Sequence, residues 1–153
     1  MGYEVVYDPA TDSFAIWSTV VDDWVAVGLK TPEAVGKWFA QRITEPKPWA
    51  IVDKQGYIIT DQFGSLQFFS TKTQAESWKP SLAKENNLRE EDLSVANIGE
   101  ELYRNYIESI WRAAAIRAKE TKKTGVATTV FELDRKTGKL VPTEKKTHKP
   151  PLR

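Results

Sequence analysis

The sequence predicts an α+β fold of two degenerate strand-strand-strand-helix units packed with one long amphipathic helix, followed by a C-terminal β-hairpin and a basic tail. Three observations carry this expectation. Runs of β-branched and aromatic residues lead twice into a helix start reached through Lys-Thr, at Lys30-Thr31 and Lys72-Thr73. One stretch only, Asn97 to Gly125, sustains helical periodicity. The charge reverses within it: residues 1–103 hold nine Lys and Arg against sixteen Asp and Glu, net −7, and residues 104–153 hold thirteen against five, net +8, in a chain of net +1.

The first unit, about residues 3–43, opens with YEVVY at Tyr3, FAIWSTVV at Phe14 and WVAVGL at Trp24, separated by turns at residues 8–12 and at Asp22-Asp23. Thr31 is an N-cap with Pro32 at the first helical position, and Ala34, Val35, Trp38 and Phe39 form an apolar face. The second unit, about residues 49–86, repeats the pattern with WAIV at Trp49, YIIT at Tyr57, LQFFS at Leu66 and a capping box from Thr73 to Glu76. Both units place an alanine and then a tryptophan early in the helix, Ala34/Trp38 and Ala75/Trp78, and Pro80 is expected to break or kink the second helix. A three-strand unit cannot bury its sheet face alone, so the units are expected to form one compact domain over residues 1–143.

A short strand from Leu93 to Ala96 feeds the central helix, about 98–123. Asn97 and Glu100 form a capping box there, and Gly125 after Lys119, Lys122 and Lys123 marks the end. Leu102, Tyr103, Tyr106, Ile107, Ile110, Ala113 and Ala114 share the core face, while Arg104, Asn105, Glu108 and Arg112 face outward with i, i+4 ion pairs. Arg117 falls where the apolar face should continue. The helix is therefore expected to leave its core near Ala115 or Ile116, its last two turns forming a basic spur. Val126 to Leu133 and Leu140 to Thr143 read as a hairpin, about 126–143, with Pro142 on an edge strand, and residues 144–153 as a flexible basic tail.

The composition narrows the chemistry. With no cysteine, there are no disulfides, thiolate metal sites or cysteine nucleophiles, and the single histidine, His148, lies in the tail. A Ser-His-Asp arrangement is therefore not expected, and no glycine-rich phosphate loop occurs among eight scattered glycines, so no cofactor is called for. No apolar run approaches a membrane span and MGYEVVYD lacks the pattern of a signal peptide, so neither membrane nor export is expected and the location is taken as cytoplasmic. Carboxylates remain: Asp22 and Asp23 with Glu45 and Lys47, or Glu132 and Asp134 with Lys136 on the hairpin, offer the pattern of a magnesium-dependent nuclease, carboxylates holding the metal and a lysine supporting the attacking water. Turns and solvated charge explain these residues, and no metal site is assigned to them.

The basic C-terminal third points to a polyanion. Arg112, Arg117, Lys119, Lys122 and Lys123 on the helix, Arg135, Lys136 and Lys139 at the hairpin tip, and Lys145, Lys146, Lys149 and Arg153 in the tail suit phosphate contact. Trp17, Phe68, Tyr103 and Trp111 are candidates for base stacking where exposed, with core packing as the alternative fate. The stretch from Trp49 to Trp78, three strands and then a helix opened by Thr-x-x-Glu, resembles small strand-strand-strand-helix modules typified by a class of plant DNA-binding domains and by the hybrid-binding domain of some ribonucleases H. The resemblance implies nucleic-acid binding; it covers 30 of 153 residues and transfers no site. The leading expectation is a non-enzymatic nucleic-acid-binding protein. The alternative is a protein-interaction module, such as a small inhibitor, adaptor or virion component, whose basic segment docks on an acidic protein surface or, through the hairpin, on a second copy. A metal-dependent nuclease ranks third.

Overall fold

The computed structural model describes residues 2–143. It is a mixed α+β structure with, among those residues, three α-helices and seven strands in three small antiparallel sheets. The chain divides into two compact units. The first takes residues 2–42, 107–132 and 140–143 of the described chain, and the second takes 43–106 and 133–139.

In the first unit, β1 (Tyr3–Asp8), β2 (Ser13–Ser18) and β3 (Asp23–Leu29) form an antiparallel sheet in that order. The register is set by alternation: Tyr7 pairs with Phe14 and Val5 with Ile16 on the buried face, while Val6 pairs with Ala15 and Glu4 with Trp17 on the other. α1 (Pro32–Ala40) begins as its sequence demands, with Thr31 Oγ1 accepting from the Ala34 N–H at 3.0 Å. Val35 and Phe39 from α1 and Ala115 from α3 (Glu100–Thr124) complete the core with Tyr7, Phe14 and Ile16, and the Phe39 and Trp111 rings stack at 3.9 Å. Gly36 allows α1 to approach α3 this closely, since a Cβ there would lie 2.4 Å from the Glu108 carbonyl oxygen.

The second unit does not repeat this sheet. β4 (Trp49–Val52) pairs with β5 (Ser94–Asn97), and the runs expected as two further strands make only single bridges, Val52 to Ile58, Thr60 to Leu66 and Trp49 to Phe69. The cause is that side chains and the hairpin tip take the backbone groups a ladder would use. Leu66 N–H donates to the Tyr106 hydroxyl at 3.0 Å, Asn86 Nδ2 donates to the Thr60 carbonyl, and both backbone groups of Ile58 go to Arg135. Two turns of one kind punctuate the segment. Asp53 Oδ1 accepts from Gln55 and Tyr57 N–H, and Asp61 Oδ1 from Phe63 and Ser65 N–H, each turn closing on a glycine at positive φ, Gly56 and Gly64. Ile51, Ile59, Phe69, Ala75, Leu82, Ala83 and Leu93 form this unit's core.

Four further expectations are corrected. α2 (Lys72–Glu85) runs unbroken through Pro80; Glu76, whose carbonyl loses its helical donor, is exposed, and Ala75, Leu82 and Ala83 anchor both halves in the core. Its cap is Thr71, whose Oγ1 accepts from Gln74 N–H, instead of Thr73. α3 starts at Glu100 instead of Ile98, because Asn97 is paired with Trp49 in β5, Ile98 N–H donates to the Pro48 carbonyl and Gly99 turns the chain at φ +86. Nor does α3 leave its core near Ala115: Ala118, one turn on, still packs against it, and residues 121–124 are exposed. The C-terminal hairpin is present as β6 (Phe131–Asp134) and β7 (Lys139–Pro142). Residues 126–130 precede it as non-strand chain.

Candidate nucleic-acid interface

In the first unit the cations cluster on the last turns of α3. The helix ends where expected, Gly125 N–H donating to the Thr121 carbonyl at 2.8 Å with φ +89, and the terminal placement of Lys122 and Lys123 opposes the negative end of the helix dipole. That placement leaves Arg117, Lys122 and Lys123 exposed. Arg117 and Lys122 line one groove with Thr121, about 420 Å³ in volume, along β1. Arg117 also lies over the Phe131 ring at 5.1 Å.

Lys119 is held differently. Its Nζ sits 3.4 Å from Asp12 Oδ1 and 5.4 Å from the centre of the Tyr7 ring. The Tyr7 hydroxyl donates to Asp12, and that bond, followed by the charges of Lys119 and Lys123, holds the Asp12 carboxyl below the usual carboxylate range. The same hydrogen bond raises Tyr7. Glu120 organises the chain that follows the helix: its carboxylate accepts from Thr128 and Thr129 N–H and from the Thr129 hydroxyl. Burial opposes ionisation of Glu120, and these hydrogen bonds with Arg117 nearby outweigh it, leaving the carboxyl below its ordinary value.

Arg112, expected on the outer face, is half-buried, and its Nη2 donates to the Leu140 carbonyl at 2.7 Å. Leu140 N–H donates in turn to the Ser109 hydroxyl, so one α3 face holds both backbone groups of a β7 residue. This guanidinium fastens the chain.

In the second unit, the hairpin tip carries Arg135, Lys136 and Lys139. Asp134 Oδ1 accepts from Lys136 and Thr137 N–H, which closes the turn and lowers the Asp134 pKa. Arg135 is a latch: its Nε donates to the Ile58 carbonyl at 2.8 Å, its backbone carbonyl accepts from Ile58 N–H, and its guanidinium lies 4.0 Å from Asp53. Lys136 is exposed with its Nζ 5.0 Å from the Tyr57 ring centre, and Lys139 is exposed. The structure thus separates the expected cations into Arg112, Lys119 and Arg135, which are taken up by protein acceptors, and Arg117, Lys122, Lys123, Lys136 and Lys139, which face solvent. Lys145, Lys146, His148, Lys149 and Arg153 lie outside the described residues.

Each candidate stacking aromatic is engaged with another ring of the protein. Trp111 lies flat on Phe39, Phe68 packs against Tyr103 and Tyr106, and Trp17 meets Trp24 edge-on. The large aromatics that face solvent are others, Tyr3, Trp24, Tyr57, Phe63 and Trp78. Sequence reasoning missed Trp24 as a surface residue, because the register shifts of β3 against β2 that set it opposite Trp17 leave no mark in the hydrophobic pattern. The carboxylates do not gather: Asp22 takes a turn at φ +56, Asp23 caps its neighbour Trp24 N–H, and Glu45 accepts from Ser70 Oγ at 2.7 Å. Among the described residues no group of three or more His, Asp or Glu is arranged to hold a metal ion. No helix among them is long and apolar enough to cross a membrane. Comparison with known proteins finds no family, no curated protein and no solved structure that matches the chain.

Proposed function

We propose that this chain is a non-enzymatic nucleic-acid-binding protein that contacts phosphates through its basic C-terminal third. The observation that carries the reading is the exposed group Arg117, Lys122 and Lys123 at the end of α3, next to a fourth cation, Lys119, whose charge is already met by Asp12. Exposed cations on a rigid helix end release counterions from a polyanion without first breaking protein ion pairs, and contact with phosphate oxygens needs no catalytic group. Lys136 and Lys139 supply a second set of exposed cations in the other unit. A cytoplasmic location is part of the proposal. Titration of the full chain with single- and double-stranded nucleic acid at two salt concentrations tests it. Binding should weaken with salt by roughly 0.9 in log–log slope per phosphate neutralised on duplex DNA. A chain that shifts neither form at low salt refutes the reading.

A protein-interaction module remains the second reading, favoured by Val126, Val130 and Val141, which are exposed near and on the hairpin. It expects self-association in light scattering that is lost when residues 126–153 are deleted, or capture of an acidic protein surface.

A further inference from the structure

The outward face of the β1–β2–β3 sheet carries a cavity of about 600 Å³ walled by Val6, Ala15, Trp24 and Val27. Trp24 is 46% exposed and Val27 68%, an apolar surface facing solvent on a sheet whose other face is the core. The Trp24 indole is braced by Trp17, whose ring meets it at 82° with centroids 5.0 Å apart. Two cations, Lys30 and Lys122, line the same cavity. The groove beside β1 shares Val6, Tyr7 and Lys122 with it and adds Arg117. Asp8 brings a carboxylate to the cavity, but its two oxygens accept from Ala10 N–H at 3.0 Å and from the Thr11 hydroxyl at 3.1 Å within its own turn.

An exposed indole on a rigid strand, an apolar wall and cations at either side match a ligand that alternates flat faces with phosphates. A duplex keeps its base faces stacked inside, and only an unpaired strand can offer one to an aromatic side chain. We infer that the open face of this sheet binds single-stranded nucleic acid, with Trp24 as the stacking residue and the phosphates running from Lys30 past Lys122 to Arg117. The inference rests on the nucleic-acid reading above and narrows it to unpaired strands.

The experiment is fluorescence anisotropy of the full chain with a labelled mixed-sequence oligonucleotide and with its duplex, on wild type, Trp24→Ala, Trp24→Phe, Val27→Glu and the double variant Lys122→Ala/Lys123→Ala, with folding checked by thermal melts. The single strand should bind more tightly than the duplex. Trp24→Ala should weaken single-strand binding by about 5- to 150-fold, the loss of one stacked base, with duplex binding unchanged, and Trp24→Phe should restore most of it. Val27→Glu, at a position more exposed than Trp24, sets a carboxylate in the cavity and should weaken single-strand binding as well, which keeps the test open if Trp24→Ala does not fold. Folded Trp24→Ala and Val27→Glu proteins that bind single strands like wild type, while Lys122→Ala/Lys123→Ala loses binding, would overturn the sheet-face site and leave the phosphate-contact reading standing. Equal affinity for duplex and single strand would overturn it too, and binding to neither form would remove both.

Discussion

The two units begin from nearly the same sequence signal and end differently. In the first, three β-rich runs form a three-strand ladder under a Thr-capped helix; in the second, the first matching run pairs with β5 and the other two make single bridges under another Thr-capped helix. Hydrophobic pattern does not separate them, because Ile16 and Phe14 in one and Ile51 and Ile59 in the other are buried to the same degree. The difference lies in where backbone groups find partners. β1 and β2 give theirs to each other along six paired positions, whereas Ile58, Thr60 and Leu66 give theirs to Arg135, Asn86 and Tyr106. A β-rich run specifies burial, and whether it joins a ladder depends on the competing donors and acceptors around it.

Removing the ladder's own core should have the largest effect. Phe14→Ala is expected to cost about 3–5 kcal/mol in urea unfolding, since a fully buried ring leaves a cavity between sheet and helix. Tyr106→Phe is next: it removes one hydroxyl and leaves the buried Leu66 N–H without that acceptor, at a cost of about 1–3 kcal/mol. The corresponding deletion in the first unit, Tyr7→Phe, should cost less, because Asp12 keeps Lys119 and is largely exposed. Equal losses for the two tyrosines would mean that side-chain capture of backbone is not what distinguishes the units. Arg135→Ala should destabilise by about 1–3 kcal/mol through the Ile58 carbonyl and change the salt slope of nucleic-acid binding less than Lys122→Ala does. The smallest effect is on pH dependence. Asp12 and Glu120 in the first unit, like Asp92 and Asp134 in the second, have carboxyls lowered on folding, so each contributes stability above its unfolded pKa that is lost as pH falls through its folded value. Asp12→Asn should flatten the acid side of a thermal-melt pH profile, and a profile identical to wild type would remove Asp12 from the account.

Local chemistry was legible wherever a residue answers to its neighbours alone. Thr31 caps α1, Gly125 stops α3, and Asp134 with Gly138 turns the hairpin, each through contacts within five residues. Thr71 and Thr73 show the limit. Both precede a plausible capping partner, and Gln74 settles the choice by accepting from Ser70 N–H while donating its own N–H to Thr71. What could not be read depends on distant partners. Arg112 looked like a surface cation because its partner, the Leu140 carbonyl, lies 28 residues away, and Arg135 looked like a hairpin-tip cation because Ile58 lies 77 away. The charge reversal along the chain was plain in the sequence, but which cations face solvent was set by these long-range acceptors.

The most direct measurement is the salt dependence of nucleic-acid affinity for wild type against Lys122→Ala/Lys123→Ala, both as full chains. If the end of α3 meets phosphates, the double variant binds more weakly and its log–log slope is smaller by about 2, one for each cation removed. A wild-type chain that binds with the same affinity and the same slope as the double variant would contradict the account.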